Sequence, residues 1–402
     1  MKRADVVIGA NFGDEGKGLL TDFLAARAGD AVVIRFNGGA QAGHTVQTPD
    51  GKRHVFSHIG AGTFAGAETY LSRFFVCNPL LFRKEHEALA RLTPLSRLRV
   101  DRAAFVTTPY DMMINQIVEE RRGAARHGSC GMGFGETIER CGHAPLLVNA
   151  GMLSDAASLR HLLNEIRDKW MPRRLAELGT PDIPEKWLER ITSSGIVEKF
   201  LDDAAFFAAH VSIVETFPDF AGQQIIFEGA QGLLLDQECG TFPYVTRSHT
   251  GLRNAATIAR EAEVGALDVT YVTRAYMTRH GAGPMQHELP GPPDSGVSDA
   301  TNVVNDWQGH LRFGYLDVDS LAARIARDTG TADTSLKLSV RLAVSCLDQI
   351  GLHASFVDNG AVTTGRVENY LALLKKKTGV SSLLASHGPT RETLSSPHAM
   401  AA

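Results

Sequence analysis

The stretch Asp5-Val-Val-Ile-Gly-Ala-Asn-Phe-Gly-Asp-Glu-Gly-Lys-Gly-Leu-Leu20 joins a short apolar run to a glycine-rich turn and then to residues with helical spacing. Leu20, Phe23 and Leu24 share one face of a helix predicted over 19–28, and Ala31-Val-Val-Ile34 reads as a second strand. Residues 5–35 are thus strand, loop, helix and strand, a unit that favours a parallel sheet covered by helices. Working outward, Gln224–Phe227, Val269–Thr273 and Leu342–Cys346 read as further buried strands, and 79–92, 155–178, 196–210 and 320–327 as helices. Pro172–Trp187, charged and punctuated by proline, reads as a surface insertion between helices, and Pro290–Gly309 as a second loop-rich stretch. The expectation is one large α/β domain over 1–402: a mostly parallel sheet with helices on both faces, an insertion at about 150–222 and a C-terminal part at about 340–402.

Bulk properties exclude several classes. Lys plus Arg is 41 and Asp plus Glu is 45 in 402 residues, a formal charge of −4, so no basic surplus points to nucleic acid. Apolar runs fall far short of a membrane span, and Asp5 interrupts the run that a secretory signal would need. The five cysteines are scattered without a CxxC pair, which reads as reduced thiols in a cytoplasmic protein.

The loop Gly13-Asp14-Glu15-Gly16-Lys17-Gly18 carries the chemistry. Glycines let backbone N–H groups turn toward an anion, the following helix N-terminus favours it, and Lys17 adds a point charge. The arrangement is P-loop-NTPase-like, yet Asn11 stands where a P-loop has its first glycine and Gly18 where it has the magnesium-binding Ser or Thr. A metal bridging phosphates therefore needs another oxygen donor, and Asp14 is the one inside the loop. After the next strand comes Asn37-Gly-Gly-Ala-Gln41-Ala-Gly43-His44-Thr45, at the strand end where open α/β sheets bind ligands. His44 can serve there as a general acid or as a cation for a transferring phosphoryl group. Gly128-Ser129-Cys130-Gly-Met-Gly-Phe-Gly135 reads either as a second phosphate cradle or as a flexible linker. Gln231, in Phe227-Glu-Gly-Ala-Gln-Gly232, offers an amide suited to a base edge.

These motifs, with Gly240-Thr-Phe-Pro-Tyr-Val-Thr246 and Thr278-Arg-His-Gly-Ala-Gly-Pro284, resemble the adenylosuccinate synthetase family in order and along nearly the whole chain. The resemblance implies a homodimer that condenses IMP with L-aspartate, using GTP and Mg2+. It implies that Asp14 removes the purine N1 proton and ligates magnesium, with the Gly43 carbonyl as a second ligand, and that His44 stabilises the oxygen at position 6. It places the triphosphate on Gly13, Glu15, Gly16, Lys17, Gly18, Gly43, His44 and Thr45, and its base on Asp348, Ser386 and Gly388. It places the purine monophosphate on Asp14, Lys17, Gln41, His44, Ser129, Cys130, Gln231 and Thr246, with Arg140 reaching the phosphate across the dimer.

The chain also departs from that pattern. The family's threonine- and arginine-rich aspartate loop is here Thr301-Asn-Val-Val-Asn-Asp-Trp-Gln-Gly-His-Leu-Arg312, leaving Thr301 and Arg312 as amino-acid contacts and Arg312 as the sole permanent cation. Cys346 replaces a lysine near the guanine-reading Asp348, Cys130 replaces a threonine, and Gln41 replaces an asparagine. A paralogue acting on dGMP or another purine monophosphate, or spending ATP, is the alternative enzyme. A nucleotide switch without ligase chemistry is the alternative of another class, and it has no use for His44 or a second cradle.

Overall fold

The computed structural model describes residues 1–299, 309–332 and 335–396. Its centre is a ten-stranded sheet. In chain order the strands are β1 (Lys2–Gly9), β2 (Ala31–Arg35), β3 (Glu68–Leu71), β4 (Leu98–Asp101), β5 (Ser212–Val214), β6 (Gln224–Gly232), β7 (Val264–Arg274), β8 (Lys337–Ser345), β9 (Ser382–Ser386) and β10 (Leu394–Ser395). Across the sheet they lie β10-β9-β8-β7-β1-β6-β2-β3-β4-β5, and every pair is parallel except β9 with β10. β2 is buried at all five residues, which is why its first four are an unbroken apolar run rather than an alternation, with Arg35 closing the strand.

Helices α1 (Lys17–Ala28), α2 (Pro79–Leu89), α3 (Pro109–Arg122), α4 (Phe134–Cys141), α5 (Ala156–Glu165), α6 (Met171–Glu177), α7 (Glu185–Thr192), α8 (Ser194–His210), α9 (Leu252–Glu261), α10 (Val318–Thr329) and α11 (Val367–Thr378) complete the frame. Both faces are covered, as the alternation along β1 requires. Val6 and Ile8 pack with residues of α9, α10 and α11, whereas Val7 packs with Leu20 and Ala25 of α1. The chain runs outward from β1 to β5, returns with β6 beside β1, and then lays β7, β8, β9 and β10 on the other side. That reversal opens a crevice above the carboxyl end of β1, where ligands bind in open α/β sheets.

Two expectations change. The helical excursion expected at about 150–222 is the later part of a longer one, which holds α3 through α8 between β4 and β5 and shares an apolar core with α2, β3 and β4. Pro172–Trp187 is not a surface insertion: α6 and α7 occupy most of it, with Leu175 and Trp187 buried. Pro172 lies inside a helical run that is unbroken from Ala156 to Glu177, directly after a π-helical segment over Ile166–Trp170, so here proline is accommodated within a helix rather than marking a loop.

Candidate functional site

The loop between β1 and α1 is held in a conformation that most side chains avoid. Gly13 has φ 102°, Asp14 56° and Gly16 97°, and Gly16 caps the amino end of α1. Two groups fix this shape from outside. Arg274 Nε donates to the Asp14 carbonyl at 2.6 Å, and Ser345 Oγ donates to the Glu15 carbonyl at 2.8 Å. Glu15 folds inward, accepting from Asn11 N at 2.9 Å and Asn11 Nδ2 at 2.6 Å, and burial pushes its carboxyl up to about 7 against the pull of Lys17. Lys17 is buried too, and desolvation lowers its pKa although Glu15, Asp14 and Glu228 oppose the shift. Gly18 has a steric reason: a Cβ there would lie 2.9 Å from the Thr45 carbonyl and 3.0 Å from His44. The residue that ligates magnesium in a P-loop is absent because the His44 strand packs against its position.

His44 is the second centre. Its Nδ1 lies 2.8 Å from Glu228 Oε1, and its ring is 4% exposed. Glu228 is fully buried on β6, 3.7 Å from Arg35 Nε, and accepts from Ala61 N at 3.1 Å. Burial opposes its ionisation, but His44, Arg35 and the Ala61 amide outweigh burial and hold the carboxyl below its usual range. Desolvation lowers the His44 pKa despite Glu228; in a neutral ring the contact with the carboxylate puts the proton on Nδ1 and leaves Nε2 as an acceptor. Nε2 is buried with no partner among the described residues, as are Gln41 Nε2 and Gln231 Oε1. Three polar groups around one crevice lack partners, which is costly unless a ligand supplies them. Gln231 is itself in the left-handed region at φ 57°, and its backbone lies 3.3 Å from where a Gly13 side chain would begin.

The other expected contacts are arranged differently. Ser129 Oγ accepts from Asn115 Nδ2 at 2.8 Å, and Glu119 accepts the amides of His127, Gly128 and Ser129. Cys130 is half-buried, and burial raises its thiol pKa. Arg140 departs from the expectation that it reaches across a dimer. It is fully buried, forks onto Asp111 at 2.8 Å through both Nε and Nη2, and donates to the Val106 and Leu146 carbonyls. Arg312 forks onto Glu288 at 2.7 and 2.5 Å and donates to the Gly281 and Gly283 carbonyls, while Thr301 lies outside the described residues. Thr246 N donates to the Leu235 carbonyl, which fixes the 236–246 loop. Asp348 is exposed on the turn after β8, and that turn lies against the end of β9, where Ser386 Oγ donates to the Gly388 carbonyl. Cys346 enters the turn at φ 60°.

Sequence reasoning missed Glu228, Arg35, Arg274 and His280, whose Nε2 lies 3.5 Å from Asp14 Oδ2. Three of them share a signal: a charged residue within or at the carboxyl end of a buried strand, where burial demands a partner. A magnesium ion fits the donors present. Among the described residues no cluster of three acidic, histidine or cysteine side chains forms a protein cage, and Asp14 alone of the loop's acids is turned outward. Such a set suits an ion held mainly by phosphate oxygens and water, with one or two protein oxygens.

The sequence model of adenylosuccinate synthetase matches residues 6–352. The chain belongs to the adenylosuccinate synthetase family. The Porphyromonas gingivalis adenylosuccinate synthetase is 33% identical over 303 residues, covering 72% of this chain and 66% of its own length. The Cupriavidus pinatubonensis adenylosuccinate synthetase 1 is 36% identical, with 62% of its own length covered, and the Xylella fastidiosa enzyme 31% identical over 353 residues, with 78% covered. The match thus spans about two thirds of the length of the first two relatives. The fully ligated synthetase from Plasmodium falciparum shares the fold, with a TM-score of 0.73 at 19% identity over 97% of this chain and 99% of that one. The cyanophage S-2L succinoaminodeoxyadenylate synthetase, bound to dGMP and dATP, has a TM-score of 0.61 at 17% identity over 98% and 95%. No helix among the described residues is long and apolar enough to cross a membrane.

Proposed function

We propose that the chain is a ligase that forms adenylosuccinate from IMP and L-aspartate, converting GTP to GDP and phosphate. The observation that carries the reading is the buried His44 ring, oriented by Glu228, with its Nε2 left without a partner among the described residues and beside the glycine-rich loop of Lys17. A switch protein gains nothing from such a group.

In this reading Asp14 accepts the N1 proton of the purine, which makes the 6-oxygen a nucleophile toward the γ-phosphoryl group. Lys17 and the amides at the start of α1 hold phosphate oxygens, and His44 Nε2, once protonated, donates to the oxygen being transferred. The aspartate amine then attacks carbon 6, and the phosphate formed there leaves with its oxygen. Asp14 and the Gly43 carbonyl would hold a magnesium ion, which would neutralise charge on the phosphate oxygens. Gln41 and Gln231 hold the monophosphate nucleotide, with Ser129, Cys130 and Thr246 at its phosphate. Asp348, Ser386 and Gly388 receive the guanine, and the 301–312 segment receives the amino acid. Action as a homodimer in the cytoplasm belongs to the same reading.

The test is a phosphate-release assay that crosses IMP, dGMP and GMP with GTP and ATP, with and without aspartate. Release that requires IMP, GTP and aspartate together is expected. Release that follows dGMP or ATP instead would replace the substrates named, and release independent of any monophosphate would remove the ligase reading.

A further inference from the structure

Arg274, at the carboxyl end of β7, is 7% exposed and makes three contacts that belong to three different loops. Its Nε donates to the Asp14 carbonyl at 2.6 Å, and its Nη2 to Asp299 Oδ2 at 2.8 Å. Its Nη1 donates to the Tyr276 hydroxyl at 3.3 Å. The Tyr276 hydroxyl in turn donates to Gln349 Oε1 at 2.6 Å, and Gln349 Nε2 donates to the Ser298 carbonyl at 3.1 Å. The circuit closes. The phosphate loop, the 298–299 segment and the turn that carries Asp348 are tied through one planar cation whose donors point in fixed directions.

We propose that Arg274 is a positioning residue that couples the Asp348 turn and the 298–299 segment to the placement of Asp14. The inference rests on the ligase reading for its kinetic consequence but not for the coupling itself. The Asp14 backbone sits at φ 56°, a conformation other contacts must hold, and Arg274 donates directly to its carbonyl. A ligand that settles the Asp348 turn fixes Gln349. Gln349 fixes Tyr276 and Ser298, and Arg274 then has one orientation in which all its acceptors are met. Hydrogen-bonded members of one network of this kind are coupled rather than additive.

The experiment compares native protein, Arg274→Lys, Gln349→Ala and the double variant. Amide exchange over residues 10–16 and 294–299 is followed with and without GTP and magnesium, alongside steady-state rates. In the native protein the triphosphate slows exchange in both segments. In either single variant only 10–16 responds, because lysine cannot span the three acceptors and alanine opens the far side of the circuit. The rate constant falls about tenfold in each, KM for the monophosphate changes less than about threefold, and the double variant is no slower than the worse single one. Responses in 294–299 that survive both substitutions, or rate losses that multiply, would overturn the coupling. If Arg274→Lys does not fold, Gln349→Ala leaves the Asp14 contact intact and carries the exchange test alone. If the native protein binds triphosphate without turnover, the exchange arm still decides the coupling, and the ligase reading fails separately.

Discussion

The phosphate-loop side of the crevice and the 111–140 side handle polar groups in opposite ways. Around Lys17, His44 and Gln231, buried polar atoms are left unmatched: His44 Nε2, Gln41 Nε2 and Gln231 Oε1 have no partner among the described residues. Around Arg140, Glu119 and Arg312, each group is matched from within, by Asp111, by three backbone amides and by Glu288. An unmatched buried group carries a desolvation penalty of about 1–3 kcal/mol that a ligand can relieve, so the first side is organised before the ligand arrives. The second side must exchange its own contacts to bind anything, or else serves as a frame.

The largest test concerns that frame. Arg140→Ala leaves the Asp111 carboxylate buried without its cation, and a loss of about 3–5 kcal/mol in unfolding free energy by urea titration is expected. A variant that keeps its stability but no longer binds the monophosphate would show that Arg140 faces ligand after all. On the opposite side, Asp14→Asn is expected to leave the urea midpoint near the native value and to lower the phosphate-release rate constant by about a hundredfold or more, since an amide neither accepts the proton nor holds the metal well. Near-native turnover there would remove Asp14 from the chemistry.

How far the sequence could be read follows the same division. The strand-loop-helix-strand unit, Lys17 and His44 were legible because each depends on local order: an apolar run, a glycine turn, a helix face. Glu228, Arg35 and Arg274 were not singled out, because their partners lie far along the chain, as Glu228 does from His44, and no local pattern brings them together. Trp187 was read as a surface residue on the strength of its prolines and charges, yet it closes the core of the helical excursion and donates to Glu120. The family resemblance put Arg140 on the phosphate across a dimer, and only the fold reveals that Asp111 occupies both arms of its fork. Local strand and helix order was read well, and long-range pairing was not.

Glu228→Gln sharpens the comparison at smaller cost. The amide still accepts from His44 Nδ1–H, so the ring keeps its place, but the charge that would stabilise an imidazolium during transfer is gone. A fall of about tenfold in the rate constant, with KM for both nucleotides nearly unchanged, is expected. A rise in KM with the rate preserved would make Glu228 a packing residue and His44 a ground-state contact.

The smallest expected effect lies at Arg312, and its sign matters more than its size. The guanidinium grips Glu288 with both arms in a pair that is 27% and 39% exposed, so the pair contributes no more than about 1 kcal/mol. If the fork receives the aspartate carboxylate, Glu288 is an internal competitor for it, and a substrate must displace one carboxylate with another. Glu288→Gln weakens the competitor, so KM for aspartate should fall by up to about fivefold, the factor that 1 kcal/mol represents. Arg312→Lys, which keeps charge but loses the fork, should raise it by a similar factor. If Arg312 is instead a strut that braces the Gly281 and Gly283 carbonyls, both substitutions loosen the same loop and both raise KM. Aspartate titrations of the two variants therefore separate the readings by direction: opposite shifts place the amino acid on Arg312, and parallel shifts place it elsewhere.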